Sequence, residues 1–98
     1  AVLVDATTAS SGEATMLAFR GLDDSRSFGT PTAGFASGNM VYDFPDGSEL
    51  MLTVAKDKAR TGEEFSEDPV APDTPTDSGD AALDEAKAWL HAEHGCEA

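Results

Sequence analysis

The sequence predicts an α/β fold, and three observations carry that prediction. A short apolar stretch, Ala1–Asp5, passes through a Ser/Gly-rich turn into a helical pattern and then into a second short strand, Ser25–Gly29. Strand, helix and strand in that order form a βαβ-like unit, which implies a parallel pair. An alternating segment then doubles back across Pro45-Asp46-Gly47 as a hairpin, and the chain closes on an amphipathic helix.

Each element has its own justification. Ala1–Asp5 is short, apolar and rich in valine, the composition of an interior strand buried on both faces. A helix is predicted over Glu13–Arg20, with Ala14, Leu17, Ala18 and Gly21 at i, i+3, i+4 and i+7 on its inner face and Gly21 as its stop. Ser25–Gly29 places Phe28 inward, and Thr30–Gly38 is a loop punctuated by Pro31, Gly34 and Gly38. Asn39–Phe44 alternates Met40, Tyr42 and Phe44 against Val41 and Asp43. Its partner is Glu49–Ala55, with Leu50, Leu52 and Val54 on one face and Met51, Thr53 and Ala55 on the other. Lys56–Ser78 reads as loop, because Pro69, Pro72 and Pro75 exclude a helix. Asp80 is expected to cap a final helix, Ala81–His94, with Ala82, Leu83, Ala86, Trp89 and Leu90 as its apolar stripe and Gly95 just past its end. Residues 1–98 divide into a core, 1–73, a connector, 74–79, and a terminal helix, 80–95.

The turn after the first strand carries the chemistry. Thr7-Thr8-Ala9-Ser10-Ser11-Gly12-Glu13 puts a serine where a strand turns sharply into a helix. A hydroxyl there stands clear of the sheet, and the free N–H groups of the first helical turn can hold a developing oxyanion. The same residues make a capping box, in which Ser10 bonds the backbone N–H of Glu13 and Glu13 reaches back. Local pattern alone leaves nucleophile and cap both open.

The neighbouring motifs favour the nucleophile. Thr8-Ala9-Ser10-Ser11-Gly12-Glu13 is followed by Gly29-Thr30-Pro31-Thr32-Ala33-Gly34, the Pro45-Asp46-Gly47 turn, Leu50–Ala55, Arg60-Thr61-Gly62-Glu63 and Pro69-Val70-Ala71-Pro72-Asp73. In order and spacing this resembles the C-terminal processing, or tail-specific, serine peptidases, and within them the branch containing the nisin-resistance proteins and the tricorn core domains. The resemblance runs from Ala1 to about Asp73. It implies a crotonase/ClpP-like α/β fold, of which this chain is the C-terminal half, and a cell-envelope or secreted bacterial setting. It also implies Ser10 as nucleophile and the Ser11 backbone N–H as half of the oxyanion hole. In the processing branch a lysine after the Thr-x-Gly block acts as base, and Phe35 occupies that place here. In the other branch the base is a histidine well upstream of the serine, which places it outside this chain. An acidic residue before the Val-x-Pro-Asp block orients the base network in the family; Glu67 is nearest, with Asp68 competing.

Composition bounds the alternatives. Acidic residues outnumber basic ones 19 to 6 over 98 residues, for a net charge of −13. That balance argues against nucleic-acid or anionic-membrane binding and reads as a solubilising surface; a high-salt source gives the same bias. The single cysteine, Cys96, excludes an intrachain disulfide. It lies with His94 in a tail expected to fray, where nothing orients a Cys/His pair. His91-x-x-His94 has helical ligand spacing, but too few partners surround it for a metal site, and no cofactor is expected. No window is apolar and long enough for a transmembrane helix. The start inside an apolar strand suggests a piece of a longer protein.

Two functions therefore compete: the catalytic segment of a serine endopeptidase acting on peptide or protein substrates, completed by the remainder of its parent protein, and a binding module that retains the fold without the chemistry. Phe35 in the lysine place fits the second. On the first reading Thr32–Gly38 borders the substrate cleft, with Phe35 as a substrate contact or a core plug. An α/β-hydrolase is excluded by Thr8, which stands where its nucleophile turn requires glycine.

Overall fold

The computed structural model describes residues 1–97. Eight elements follow in chain order: β1 (Val2–Val4), α1 (Ser11–Phe19), β2 (Ser27–Gly29), β3 (Ser37–Asp43), β4 (Glu49–Lys58), β5 (Glu64–Phe65), β6 (Thr74–Pro75) and α2 (Gly79–His94). They form two three-stranded sheets, β1-β2-β6 and β3-β4-β5.

The first sheet is parallel throughout. Val2, Leu3 and Val4 pair with Ser27, Phe28 and Gly29, and Phe28 and Gly29 pair in turn with Thr74 and Pro75. Side chains alternate along these strands, so the two faces bury different clusters. Val4 joins Met16, Leu17, Ala36, Ala59 and Val70 on the α1 side, while Phe28 joins Ala82 and Ala86 of α2 on the other, with Trp89 against them. The Phe28 and Trp89 rings lie 5.8 Å apart at 55°. The small sheet thus lies between α1 and α2.

Several sequence expectations need correction here. β1 is an edge of its sheet rather than an interior strand. Val4 is buried, but Leu3 is 48 % exposed, because α2 only partly shields its face. The third strand of this sheet, β6, falls inside the stretch assigned to loop. Proline disfavours a strand in sequence patterns, but an edge strand has no need of every N–H, and here the neighbouring Thr76 N–H donates to the Gly29 carbonyl at 2.7 Å.

Helix α1 begins two residues earlier than expected and buries a different stripe. Its buried residues are Glu13, Met16 and Leu17, while Ala14 and Ala18 are exposed. A carboxylate at one end of the stripe and Arg20 at the other conceal the inner face from a hydrophobic count. Arg20 forks onto Glu63, with Nε to Oε1 at 2.8 Å, and its Nη1 donates to the Ala71 carbonyl at 2.8 Å. These contacts tie the end of α1 to the segments flanking β5 and β6.

Helix α2 is capped by Ser78 and not by Asp80. The Ser78 hydroxyl accepts the Ala81 N–H at 3.1 Å, and Asp80 instead sits in the first turn, where negative charge complements the helix dipole. At the other end Gly95 adopts a left-handed conformation. Its N–H bonds to His91 O and that of Cys96 to Leu90 O, at 3.1 and 3.2 Å, so the tail is pinned where fraying was expected. No helix among the described residues is long and apolar enough to cross a membrane.

The β3–β4 hairpin projects as an arm, giving the molecule extents of 58 × 26 × 21 Å. Strand pairing is antiparallel, with an irregularity between Gly38 and Asn39. Both faces are open: Met40, Val41, Tyr42, Phe44, Leu50, Met51, Leu52 and Val54 are each 44–66 % exposed.

Candidate active site

The turn that leads from β1 into α1 is built by local hydrogen bonds. Asp5 forms an Asx-type turn, its Oδ1 accepting the Thr7 N–H at 2.8 Å and its carbonyl accepting the Thr8 N–H at 3.0 Å. The chain then folds again across Ala9-Ser10-Ser11-Gly12, closed by Gly12 N–H to Ala9 O at 2.9 Å. Ser10 has φ 52° and ψ −112°. That is the first central position of a type II′ turn, a place normally held by glycine. Ser10 is the sole non-glycine residue with positive φ among the described residues, and such strain costs on the order of 1–3 kcal/mol.

Ser10 and Glu13 stand in capping-box positions, and the return half of the box is firm: Ser10 N–H donates to Glu13 Oε1 at 2.9 Å. In the other half of the box the Glu13 N–H faces the Ser10 side chain without reaching the geometry of a full cap hydrogen bond. Ser10 is exposed. Immediately after it, the Ser11 N–H takes part in no hydrogen bond among the described residues. An exposed hydroxyl, only loosely engaged by the capping box, and an uncommitted backbone donor therefore sit side by side at the helix N-terminus.

Glu13 is the group that sequence reasoning undervalued. Its side chain is fully buried. Oε1 accepts from Ser10 N at 2.9 Å and Phe35 N at 2.8 Å, and Oε2 accepts from Thr32 Oγ1 at 2.7 Å and Gly34 N at 3.2 Å. Thr32, also buried, accepts the Val70 N–H at 2.8 Å in turn. The signal was the position of Glu13 in line with Met16 and Leu17, one turn ahead on the same helix face.

Burial pushes the Glu13 carboxyl upward, but donors from Thr32, Phe35, Ser10 and Gly34 outweigh it and hold the group below its ordinary value. The unfolded chain therefore binds this proton more readily than the folded one. Stability from Glu13 is complete above the unfolded pKa, about 4.3, and is lost as pH falls through the lower folded value. A ¹³C titration of the Glu13 carboxyl should give a midpoint below that of an unstructured glutamate; a midpoint at or above it would contradict the hydrogen-bond pattern.

The other candidate residues are placed as follows. Phe35 is 62 % exposed in this chain, and the next residue, Ala36, fills the core. Glu67 is exposed and approaches the loop through its backbone, since a Cβ added at Gly34 would meet Glu67 O at 2.8 Å. Asp68 is exposed beside it. The two lysines of β4 lie away from the Ser10 turn: Lys58 lines a groove with Ala14, Leu17 and Ala18 on the flank of α1, and Lys56 is exposed. His94 stacks edge-on against Trp89 at 4.8 Å, and His91 Nδ1 lies 2.9 Å from Cys96 O. None of these side chains hydrogen-bonds to Ser10. No group of His, Cys, Asp or Glu among the described residues could hold a metal ion.

An exposed serine thus stands at a strained strand-to-helix turn on a parallel α/β framework. The chain belongs to peptidase family S41, a serine-type peptidase lineage, and the match covers residues 1–76. It is 37 % identical over 93 residues to the nisin-resistance protein of Lactococcus lactis subsp. lactis, covering 95 % of this chain and 28 % of that protein. The solved structure of a lipoprotein from Streptococcus agalactiae superposes with a TM-score of 0.81 at 36 % identity, covering 92 % of this chain and 30 % of that one. The chain thus spans less than a third of the length of these relatives.

Proposed function

We propose that this chain is the nucleophile-bearing segment of a serine endopeptidase and forms the C-terminal half of a crotonase/ClpP-like domain. Ser10 Oγ attacks the peptide carbonyl carbon while a histidine outside this chain takes the hydroxyl proton. The Ser11 N–H donates to the oxyanion of the tetrahedral intermediate, a contact whose removal costs about 2.7–4 kcal/mol in enzymes where one donor was deleted. Collapse of that intermediate breaks the C–N bond, and the histidine returns the proton to the leaving amine. Water then attacks the acyl-serine by the same route. Thr32–Gly38 borders the cleft, Phe35 touches the substrate side chains, and Glu67, or Asp68 beside it, orients the base.

The observation that carries this reading is Ser10 itself, exposed at a strand-to-helix turn in a backbone conformation where serine is strained. Membership of a serine peptidase family supports it, and the names of the two relatives support a cell-envelope-associated bacterial protein. Phe35 in the lysine place favours the second reading, a binding module that keeps the fold.

A fluorophosphonate, which reacts only with activated serines, separates the two. The parent protein should acquire one adduct, mapped by mass spectrometry to Ser10, and the 98-residue chain, lacking the base, should acquire none. A parent protein that stays unlabelled at Ser10 leaves the binding module as the function.

A further inference from the structure

Four donors converge on the Glu13 carboxylate from separate segments of the chain. Ser10 N–H comes from the nucleophile turn, Gly34 and Phe35 N–H from the loop beyond β2, and the Thr32 hydroxyl from the start of that loop. Oε1 alone joins two of these segments, because it accepts from Ser10 and from Phe35 at once. The Thr32 hydroxyl donates to Oε2 while one of its two lone pairs accepts the Val70 N–H, which ties the clamp on to the segment before β6. Ala33 N–H to Thr8 O, at 2.9 Å, is a further direct bond between the loop and the turn.

We propose that Glu13 is a positioning residue for catalysis, clamping the Ser10 turn and the Phe35 loop together so that nucleophile and cleft wall keep one fixed separation. This rests on the reading of Ser10 as nucleophile. The chemistry of the pocket demands an ionised carboxylate. All four groups facing it are donors, and a carboxylate is the side-chain group that offers acceptors alone. Glutamine has the same shape but brings an NH₂ group, which at Oε1 faces two backbone N–H donors and no acceptor, and at Oε2 faces the Gly34 N–H with the Thr32 hydroxyl oxygen as its one acceptor. The strained Ser10 backbone makes this clamp consequential. A residue in a sparsely populated conformation persists only where its surroundings hold it, and the Ser10 N–H is held by Glu13.

The test uses the parent protein in three forms: unaltered, Glu13→Gln and Met16→Ala. Met16 is buried on the same helix and contacts neither Ser10 nor the loop through hydrogen bonds, so its variant reports loss of packing alone. Fluorophosphonate labelling of Ser10 and peptide hydrolysis are measured where circular dichroism shows each form folded. Glu13→Gln should label and turn over about a hundredfold more slowly, the scale of a small misplacement of reacting groups, with kcat falling more than KM rises. Met16→Ala should keep the parental labelling rate per folded molecule. If Glu13→Gln labels at the parental rate, or if Met16→Ala slows labelling as much, Glu13 is structural and the proposal fails while the nucleophile stands. If the unaltered protein takes no label, the nucleophile reading fails and the proposal with it. Should Glu13→Gln not fold, a pH titration of the 98-residue chain decides by NMR. The Ser10, Gly34 and Phe35 amide shifts should move with the single midpoint of the Glu13 carboxyl; independent midpoints would overturn the clamp.

Discussion

Ser10→Ala in the parent protein is expected to abolish peptide hydrolysis and to leave the fold intact. Loss of a serine nucleophile lowers turnover by about 10⁴–10⁶-fold. A working N-cap lost by the same change would cost about 0.5–2 kcal/mol of stability. The Ser10 hydroxyl faces the Glu13 N–H without a full cap hydrogen bond, so the melting temperature should shift by less than about 0.5 kcal/mol of stability would produce. Ser11→Ala is the matched control. The role proposed for Ser11 lies in its backbone N–H, which alanine keeps, so hydrolysis should survive. Rate and melting temperature are to be measured together on both variants. Parental turnover in Ser10→Ala would dismiss the peptidase mechanism. A large drop in its melting temperature would instead return Ser10 to the role of a cap.

The second large effect is expected at Gly29, where alanine should prevent folding. Gly29 has φ 138° and pairs with Val4 across the β1–β2 ladder. A Cβ built there would lie 1.8 Å from the Val4 carbonyl oxygen and 2.9 Å from its carbon. Those atoms are backbone, and no rotamer change relieves the clash. The strand must separate, which exposes Val4 and disturbs the turn that presents Ser10. Losses beyond about 4–5 kcal/mol are exceptional for one substitution, and small domains hold only about 5–15 kcal/mol in all. Gly29→Ala should therefore show no cooperative thermal transition in far-UV circular dichroism. Gly79→Ala, with open space around its Cβ, should melt close to the unaltered chain. A normal melt for Gly29→Ala would mean that β1 does not pair with β2 as described.

The reach of the sequence differed from element to element. The βαβ unit, the hairpin and the closing helix were legible because each depends on local periodicity and turn residues. Phe28 was read as inward and is buried. The Ser10 turn was legible from its strand–turn–helix order. Three things were hidden, each for a physical reason. The inner face of α1 was misread because a buried carboxylate and a forked arginine occupy it, and hydropathy assigns both to solvent. β6 was missed because its pairing partner lies far away in sequence and its proline argues against a strand. The bonds from Glu13 to Thr32, Gly34 and Phe35 span 19 to 22 residues, and no local pattern reports contacts of that separation.

The projecting β3–β4 arm has a colloidal consequence. Its backbone edges are open along most of their length and its side chains are apolar on both faces, the combination that lets strands of separate molecules add to one another. What opposes such stacking is long-range repulsion from a net charge of −13. That repulsion reaches only about a Debye length, roughly 8 Å at physiological ionic strength and about 3 Å at 1 M. The acidic surface is therefore a salt-dependent guard over a sticky ribbon: dilute buffer keeps the chains apart, and added salt lowers the guard without altering a single contact within the fold.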